Sequence, residues 1–279
     1  MFDLVIVGEG GGPDETNLSA YLFKPSAASW EDGIVALEAG SGQGAVQKLL
    51  EHDPHLFNSL EQSSSRTKPY SASEIYSLVR CFLISHAHLD HVNSLVISAG
   101  SLGGPRKRLF AAKQTLEDLE SVFSDRIWPN LASWSENDDN HKLLYSAHGH
   151  NEAGNYDSAA FFIRYDPTGH EFLFFGDVEP DSISRTPQTI NVWLLLASAR
   201  SDDTLYGHLK PEHLVSELEV LATEVVKVRN GGRVSGTSAR PTVIIEQIKS
   251  LVEAKGLGVE ILAARQGMCV PLQVKDSSQ

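Results

Sequence analysis

The sequence predicts an α/β fold in which helices cover one or more sheets. Short runs rich in Val, Ile and Phe recur along the 279 residues, and Gly, Pro or Asp bounds most of them, as is typical of strands. Segments with the apolar spacing of amphipathic helices fall between some of these runs. Because 41% of the residues are hydrophobic, the chain can bury a substantial core, and the mixture favours layered α/β packing.

The predicted elements follow from the period of the apolar residues. Strands are predicted at residues 4–8, 33–39, 80–85, 108–112, 159–165 and 171–177. Helices are predicted over residues 92–99, 114–123 and 210–225, the last with Pro211 near its start. Polar segments at residues 61–73, 135–140 and 229–240 are predicted as loops. None of these loops marks a clear boundary, so a single domain over residues 1–279 is the simplest organisation.

The charge balance limits the classes of partner. The chain has 23 basic and 36 acidic residues, and its formal charge is −13. Nucleic acids and membrane surfaces are bound through basic patches, so neither is expected as a partner. An anionic substrate would need a local attraction, such as a bound cation.

The cysteines and the N-terminus indicate a cytoplasmic protein. Cys81 and Cys269 are too few for a disulfide framework and lie outside any zinc-finger spacing, so both are expected to be buried thiols in a reducing compartment. The N-terminal segment lacks a basic start, and its apolar run is too short for a signal peptide. No segment is long enough to span a bilayer.

The segment "HAHLDH", residues 86–91, carries the strongest chemical signal. It follows an apolar run that is predicted as a strand, and strand ends place side chains on a rigid scaffold. His86 and His88 alternate around one residue and can face the same side, while Asp90 and His91 follow where a helix begins. Imidazoles with an occasional carboxylate suit zinc or similar ions. Four candidate ligands in six residues favour two adjacent metals.

Further ligands are expected from other strand ends and loops. The segment "YSAHGH" offers His148 and His150, and Asp177 directly follows the apolar strand "FLFF". His208 precedes the predicted helix near Pro211. An aspartate after a strand can equally be a turn or helix cap, so the metal-site interpretation depends on the combination with residues 86–91.

The residues carry a resemblance to a known family. "HAHLDH" followed by "VNSLVISA" resembles the signature of the class II cyclic-nucleotide phosphodiesterases, a branch of the metallo-β-lactamase superfamily found in fungi and some bacteria. The similarity extends over most of the chain, through "GEGGGPDE" with "YLFKP", "DRIWPNLASW", "FLFFGDVEPDSIS", "LYGHLKPEHLVSELE" and "GLGVEILAARQGM". The metal-loop motif specifies the superfamily, and the longer set indicates the phosphodiesterase branch.

The resemblance implies a four-layer αββα sandwich with two zinc ions at the edge of its sheets. It also implies hydrolysis of 3′,5′-cyclic AMP, with cyclic GMP as a further substrate, to the 5′-nucleotide. In this family pattern, the first metal is bound by His86, His88 and His148, the second by Asp90 and His91, and Asp177 bridges them. His148 is preferred to His150 because the pattern reads His-Gly. Asp90 also orients the nucleophilic water, and His208 protonates the leaving group or contacts the phosphate.

The chain departs from the family pattern late in the sequence. The family supplies another histidine to the second metal from a Thr-His-Ile-Lys strand, and this chain has no histidine after His213. One alignment puts Gln247 at that position. In the other, residues 242–261 contain the helix before the last strand, and the histidine strand is missing from the chain. Either way the second zinc site is weak, empty, or completed by His208 or water.

Several explanations of this departure stay open. They are a gene-model error around residues 240–242, a catalytically weak or inactive paralogue, and another hydrolase of the metallo-β-lactamase fold. The acidic composition disfavours RNA as the substrate of such a hydrolase, since binding to a phosphate backbone draws on Lys and Arg. The oligomeric state is left open by the sequence.

Overall fold

The computed structural model describes residues 2–58, 68–138, 140–147, 158–177, 214–216, 218–219, 244–256 and 260–272. Two compact units divide the chain. The first unit comprises Met1–Ala159, Arg164–His170 and Ala264–Gln279, and the second comprises Ala160–Ile163 and Glu171–Ala263. The organisation as a single domain stays a prediction.

The first unit is built on a mixed eight-stranded sheet with the order β10-β1-β2-β3-β4-β5-β7-β6. The strands are β1 (Phe2–Gly8), β2 (Ala20–Pro25), β3 (Ile34–Leu37), β4 (Val79–Leu83), β5 (Lys107–Ala111), β6 (Ala132–Ser133), β7 (Leu143–Ala147) and β10 (Cys269–Leu272). Strands β10, β1, β2 and β3 pair antiparallel, and β3, β4, β5, β7 and β6 pair parallel. The α/β prediction is confirmed.

Helices connect the parallel strands of this sheet, as parallel pairing requires a crossover. They are α1 (Gln43–His52) and α2 (Ala72–Leu78) between β3 and β4, α3 (Leu89–Ser98) between β4 and β5, and α4 (Lys113–Val122) between β5 and β7. Short 3₁₀ helices lie at Trp30–Asp32 and Ala99–Ser101. Because the connected strands run in the same direction, the carboxyl ends of β3, β4, β5 and β7 lie at one edge of the sheet.

The main core lies between the sheet and the apolar faces of these helices. Alternate residues of β1, such as Val5 and Val7, contribute to it, and so do Val46 of α1, Leu95 of α3 and Leu116 of α4. Each of these five side chains is at most 2% exposed. Burying a side chain of this size contributes about 1.5–3 kcal/mol, so the helices and the strand ends are held together tightly.

Within the described residues, the sequence predicted most of the strands but only some of the helices. Strands were found at all six predicted positions, and the predicted helices at 92–99 and 114–123 correspond to α3 and α4. Residues 61–73 were predicted as a loop, yet α2 begins at Ala72. The reason is a capping box, in which Ser71 accepts the backbone N–H of Glu74 and the Glu74 carboxylate accepts the backbone N–H of Ser71.

Two strands after residue 158 form a separate two-stranded sheet. They are β8 (Ala160–Tyr165) and β9 (His170–Phe175), which match the predicted strands at 159–165 and 171–177. The second unit also contains α5 (Ile244–Ala254), and residues 214–216 and 218–219 are helical. Leu214 and Leu218 pack with Ile248 and Val252 in a small apolar core.

Helix α5 decides between the two alignments of the late sequence. Gln247 lies inside this helix, so its assignment to a Thr-His-Ile-Lys-type strand is wrong. Residues 244–254 are the helix that precedes the last strand, β10, as the other alignment predicted. The loop predicted at residues 229–240 lies outside the described residues.

The cysteines correct one further expectation. Cys81 in β4 is half-buried, and Cys269 in β10 is exposed, so the prediction of two buried thiols is wrong. Side chains alternate between the two faces of β10, and Cys269 lies on the face opposite to the buried Val270, which explains its exposure. Burial still raises the pKa of Cys81 to about 11, which keeps it in the unreactive thiol form at neutral pH.

None of the helices in the described ranges has both the length and the apolar composition needed to cross a membrane.

Candidate active site

The loop after β4 places the histidine cluster at the carboxyl edge of the sheet. Ile84 extends the strand by donating its backbone N–H to the Phe110 carbonyl oxygen at 2.9 Å. His86 follows, His88 is the N-cap residue of α3, and His91 lies in the first turn of that helix. The strand and the helix therefore fix both ends of a loop of only a few residues.

The side chains of this loop converge. The ring centroid of His86 lies 4.1 Å from that of His91 and 4.7 Å from that of His88. A ring nitrogen of His86 and one of His91 lie within 4.8 Å of each other. Asp90 Oδ2 lies 3.7 Å from His91 Nε2. Three imidazoles and a carboxylate within such distances form a donor set that suits Zn²⁺, so the residues fit the metal that the sequence implied.

The orientation of the two buried imidazoles is set by neighbouring oxygens. His86 and His91 are each 1% exposed, whereas His88 is exposed and the side chain of Asp90 is 27% exposed. Ser85 Oγ lies 2.9 Å from His86 Nδ1, and Glu38 Oε1 lies 3.4 Å from His91 Nδ1. The Ser85 hydroxyl at Nδ1 of His86 selects Nε2 as the nitrogen that a metal takes from this ring, as is usual for histidine ligands, and the Glu38 carboxylate supplies a negative charge beside the His91 ring.

Glu38 is the functional residue that the sequence reasoning missed. It follows β3, is 1% exposed, and accepts the backbone N–H of Ser85 at 3.3 and 3.2 Å with its two carboxylate oxygens. Its φ of 56° is left-handed, a conformation that costs energy for a residue with a side chain. A buried carboxylate held in this way fixes both the loop and the His91 ring. The signal was an acidic residue directly after an apolar strand, the pattern that identified Asp177.

Glycines allow α3 to approach the segment after β3. The backbone N–H of Ala39 donates to the His91 carbonyl oxygen at 2.7 Å, and the backbone N–H of Ser94 donates to the Gly40 carbonyl oxygen at 3.0 Å. A Cβ atom at Gly40 would lie 1.9 Å from the Asp90 carbonyl oxygen, and one at Gly42 would lie 1.6 Å from Ser94 Oγ. The close contact of these backbones positions Asp90 and His91.

The other predicted ligands come from separate strand ends. β7 ends at Ala147, whose partner across the sheet is Ala111 of β5, so the chain leaves β7 at the same edge as β4. His148, His150 and His208 themselves lie outside the described residues. Asp177 belongs to the second unit, where it follows β9 and is 7% exposed. Its assignment as a bridging ligand stays a prediction.

Replacing Glu38 tests its positioning role. We expect Glu38→Gln to weaken metal binding about 10- to 100-fold, the usual cost of removing an outer-shell partner, because the amide cannot stabilise the His91 N–H as a carboxylate does. Glu38→Asp retains the charge and serves as the matched control, with a smaller loss. Metal affinity is measured by competition with a chromophoric chelator. Equal affinity in Glu38→Gln and the unmodified protein would contradict the role.

The chain thus combines a mixed, helix-covered sheet with a His-x-His-x-Asp-His loop at the carboxyl edge of the parallel strands, which is an α/β fold with a candidate metal site. A family model for class-II cAMP phosphodiesterases matches residues 5–148, which is slightly more than half of the chain. The chain belongs to the class-II cAMP phosphodiesterase family.

Relatives over almost the full length agree with this assignment. The chain is 27% identical to a 3′,5′-cyclic-nucleotide phosphodiesterase of Schizosaccharomyces pombe over 326 residues, covering 95% of this chain and 92% of that protein. It is also 27% identical to a protein of the same name from Aliivibrio fischeri, covering 95% and 91%. The crystal structure of unliganded yeast PDE1 superposes with a TM-score of 0.70 at 20% identity, covering 92% and 95%, and confirms the fold.

Proposed function

We propose that the chain hydrolyses 3′,5′-cyclic AMP to 5′-AMP in cyclic-nucleotide signalling, with cyclic GMP as a further substrate. The observation that carries the proposal is the convergence of His86, His88, Asp90 and His91 at the sheet edge of a class-II phosphodiesterase fold. Relatives that are named as 3′,5′-cyclic-nucleotide phosphodiesterases align with more than nine-tenths of the chain. This breadth favours the same substrate class.

The proposed cofactor is a pair of zinc ions. His86, His88 and His148 would hold one ion, Asp90 and His91 the other, and Asp177 would contact both. Bound there, the ions supply positive charge to the phosphate oxygens and a water molecule with a lowered pKa. The formal charge of −13 makes this local positive charge the means of attracting an anionic nucleotide.

The chain's own residues are assigned the remaining steps. Asp90 lies on the first turn of α3 with a side chain that is 27% exposed, so its carboxylate can accept a hydrogen bond from the attacking water and orient it. The buried rings of His86 and His91 are kept in place by Ser85 and Glu38. His208 donates a proton to the departing 3′-oxygen or contacts the phosphate. No nucleic-acid or membrane partner is proposed, and the location is proposed as cytoplasmic.

Purified protein should convert cyclic AMP to 5′-AMP, and a chelator should abolish this activity. The expected reason is that stripping the zinc ions removes the positive charge at the phosphate, and adding Zn²⁺ back should restore turnover. Product formation is followed by chromatography, and the metal content of each sample is measured by elemental analysis. Full activity in protein that contains no metal would overturn the proposal.

A weakly active or inactive paralogue is the second candidate, and two observations favour it. The alignment with the Schizosaccharomyces pombe relative spans 326 residues and is longer than the 279-residue chain, so positions of the relative face gaps here. The chain also has no histidine after His213, the region where the family supplies a further ligand. About two metals per chain would favour the enzyme, and one metal or none together with absent turnover would favour the paralogue.

A further inference from the structure

Glu9 carries a carboxylate that the proposed mechanism leaves unused. It follows β1 in the glycine-rich segment "GEGGG". Its Oε2 atom is buried, and none of the described residues donates a hydrogen bond to it. Within the described part of the chain, the hydrogen bond of Glu9 is made by its backbone, whose N–H donates to Asn17 Oδ1 at 3.0 Å. A buried carboxylate oxygen without a donor is unfavourable, and a ligand with a suitable donor would relieve this.

The segment that carries Glu9 is fixed in place. Gly10 donates its backbone N–H to the Asn17 carbonyl oxygen at 2.8 Å, which closes the loop between β1 and β2. Gln266 donates from Nε2 to the carbonyl oxygens of Val7, at 2.9 Å, and Thr16, at 2.5 Å. Both ends of the loop are therefore held by the same side chain. Its position relative to the rest of the first unit is set by the sheet.

This loop lies at the same edge as the histidine cluster. β1 runs antiparallel to β2, and β2 runs antiparallel to β3, so β1 and β3 end on the same side. A Cβ atom at Gly11 would lie 3.0 Å from Asp90 Oδ2. Glu9 precedes Gly11 by two residues, which limits the separation of their Cα atoms to about 7 Å. The backbone of Glu9 is thus close to the candidate active site.

Glu9 is not expected to bind the metals. The resemblance that names His86, His88, His148, Asp90, His91 and Asp177 as ligands does not include it, and Glu9 lies in the loop after β1 rather than in the histidine loop. Its carboxylate is therefore assigned to the substrate rather than to the metals. A substrate group at that place would be adjacent to the phosphate and would have to donate a hydrogen bond.

We propose that Glu9 accepts a hydrogen bond from the ribose 2′-hydroxyl of the cyclic nucleotide and thereby selects ribonucleotides. The inference rests on the proposed function. In a 3′,5′-cyclic nucleotide the 2′-hydroxyl is attached to the carbon next to the phosphate ring, whereas the amino group of the purine lies at the far end of the molecule. With the phosphate at Asp90 and His91, the hydroxyl is the donor nearest to the loop. Hydrogen bonds to charged acceptors are among the stronger ones.

The test compares cyclic AMP with 2′-deoxy cyclic AMP in the zinc-loaded protein. The unmodified protein should prefer cyclic AMP by about 10- to 100-fold in kcat/KM. Glu9→Ala should reduce this preference to about twofold or less, through slower turnover of cyclic AMP and unchanged turnover of the deoxy analogue. Glu15→Gln, on an exposed residue of the same loop, is the matched control and should retain the full preference.

The outcomes separate this inference from the proposed function. If Glu9→Ala lowers kcat/KM equally for cyclic AMP and for 2′-deoxy cyclic AMP, the role of the 2′-hydroxyl is overturned. The same holds if the variant changes only the ratio of kcat/KM for cyclic AMP to that for cyclic GMP. If the unmodified protein hydrolyses neither nucleotide, the proposed function fails, and the binding constants measured by calorimetry then decide the inference. Equal affinities for the two nucleotides would overturn it, and a preference that Glu9→Ala removes would support it.

Discussion

Replacing His86 by alanine is expected to lower kcat/KM for cyclic AMP by at least about a thousandfold, which corresponds to ~4 kcal/mol of transition-state stabilisation. His86 is 1% exposed, and its ring lies next to those of both His88 and His91. Its loss removes a proposed zinc ligand and opens the centre of the cluster. A bound metal stabilises the transition state of such reactions by several kcal/mol, and the expected loss of transition-state stabilisation in His86→Ala is of this size.

Metal content and melting temperature make the His86 result independent of the activity assay. Zn²⁺ should raise the melting temperature of the unmodified protein, because a ligand that binds only the folded state stabilises it. The His86→Ala variant should show little of this shift and contain less metal. His55→Ala, on an exposed histidine outside the cluster, should behave like the unmodified protein. Normal metal content in His86→Ala would contradict its assignment as a ligand.

Substituting Gly40 by alanine is expected to destabilise the first unit by more than about 3 kcal/mol, since relief of an overlap with backbone requires a shift of the helix. The new Cβ atom would lie 1.9 Å from the Asp90 carbonyl oxygen and 2.7 Å from Leu18 Cβ. The neighbouring atoms are backbone and core, so neither can rotate away. Displacement of α3 would also move Asp90 and His91, and activity should fall together with stability.

Gly44→Ala provides the matched control for this effect. Gly44 lies in α1, and a Cβ atom there would have no other atom within 4 Å. Because alanine favours a helix over glycine by about 0.5–1 kcal/mol, this change should be neutral or slightly stabilising. The free energy of unfolding in urea measures both variants. A Gly40→Ala protein as stable as the unmodified one would show that α3 is free to shift.

Local patterns were sufficient to predict the strands and the metal loop. Alternating or continuous apolar runs identified β1, β4 and β5, and six residues after β4 contained four potential ligands. The family resemblance supplied the two-sheet arrangement and the chemical class, which periodicity alone does not specify. The helix over residues 244–254 was expected from the preferred alignment with the family pattern, in which it precedes the last strand.

Contacts between distant segments were not predictable in the same way. Glu38 contacts Ser85 and His91 because β3 and β4 are neighbours in the sheet. The residues around position 38 contain no pattern that predicts which strand pairs with β3. The tight approach at Gly40 and Gly42 likewise depends on where α3 begins. Strand β7 was overlooked because the apolar character of Leu143–Ala147 is diluted by small and polar residues. The exposure of Cys269 depends likewise on which face of β10 packs against the core.

The pairing of β1 with β10 has a consequence for biosynthesis. β1 begins at Phe2, and its outer neighbour comes from Cys269–Leu272, which follow the second unit along the chain. The ribosome must therefore translate the entire second unit before the sheet of the first can be completed. Until then one edge of β1 is unpaired, and an unpaired strand edge can pair with another chain and cause aggregation. Nascent chains interrupted upstream of codon 269 should accordingly depend on chaperones.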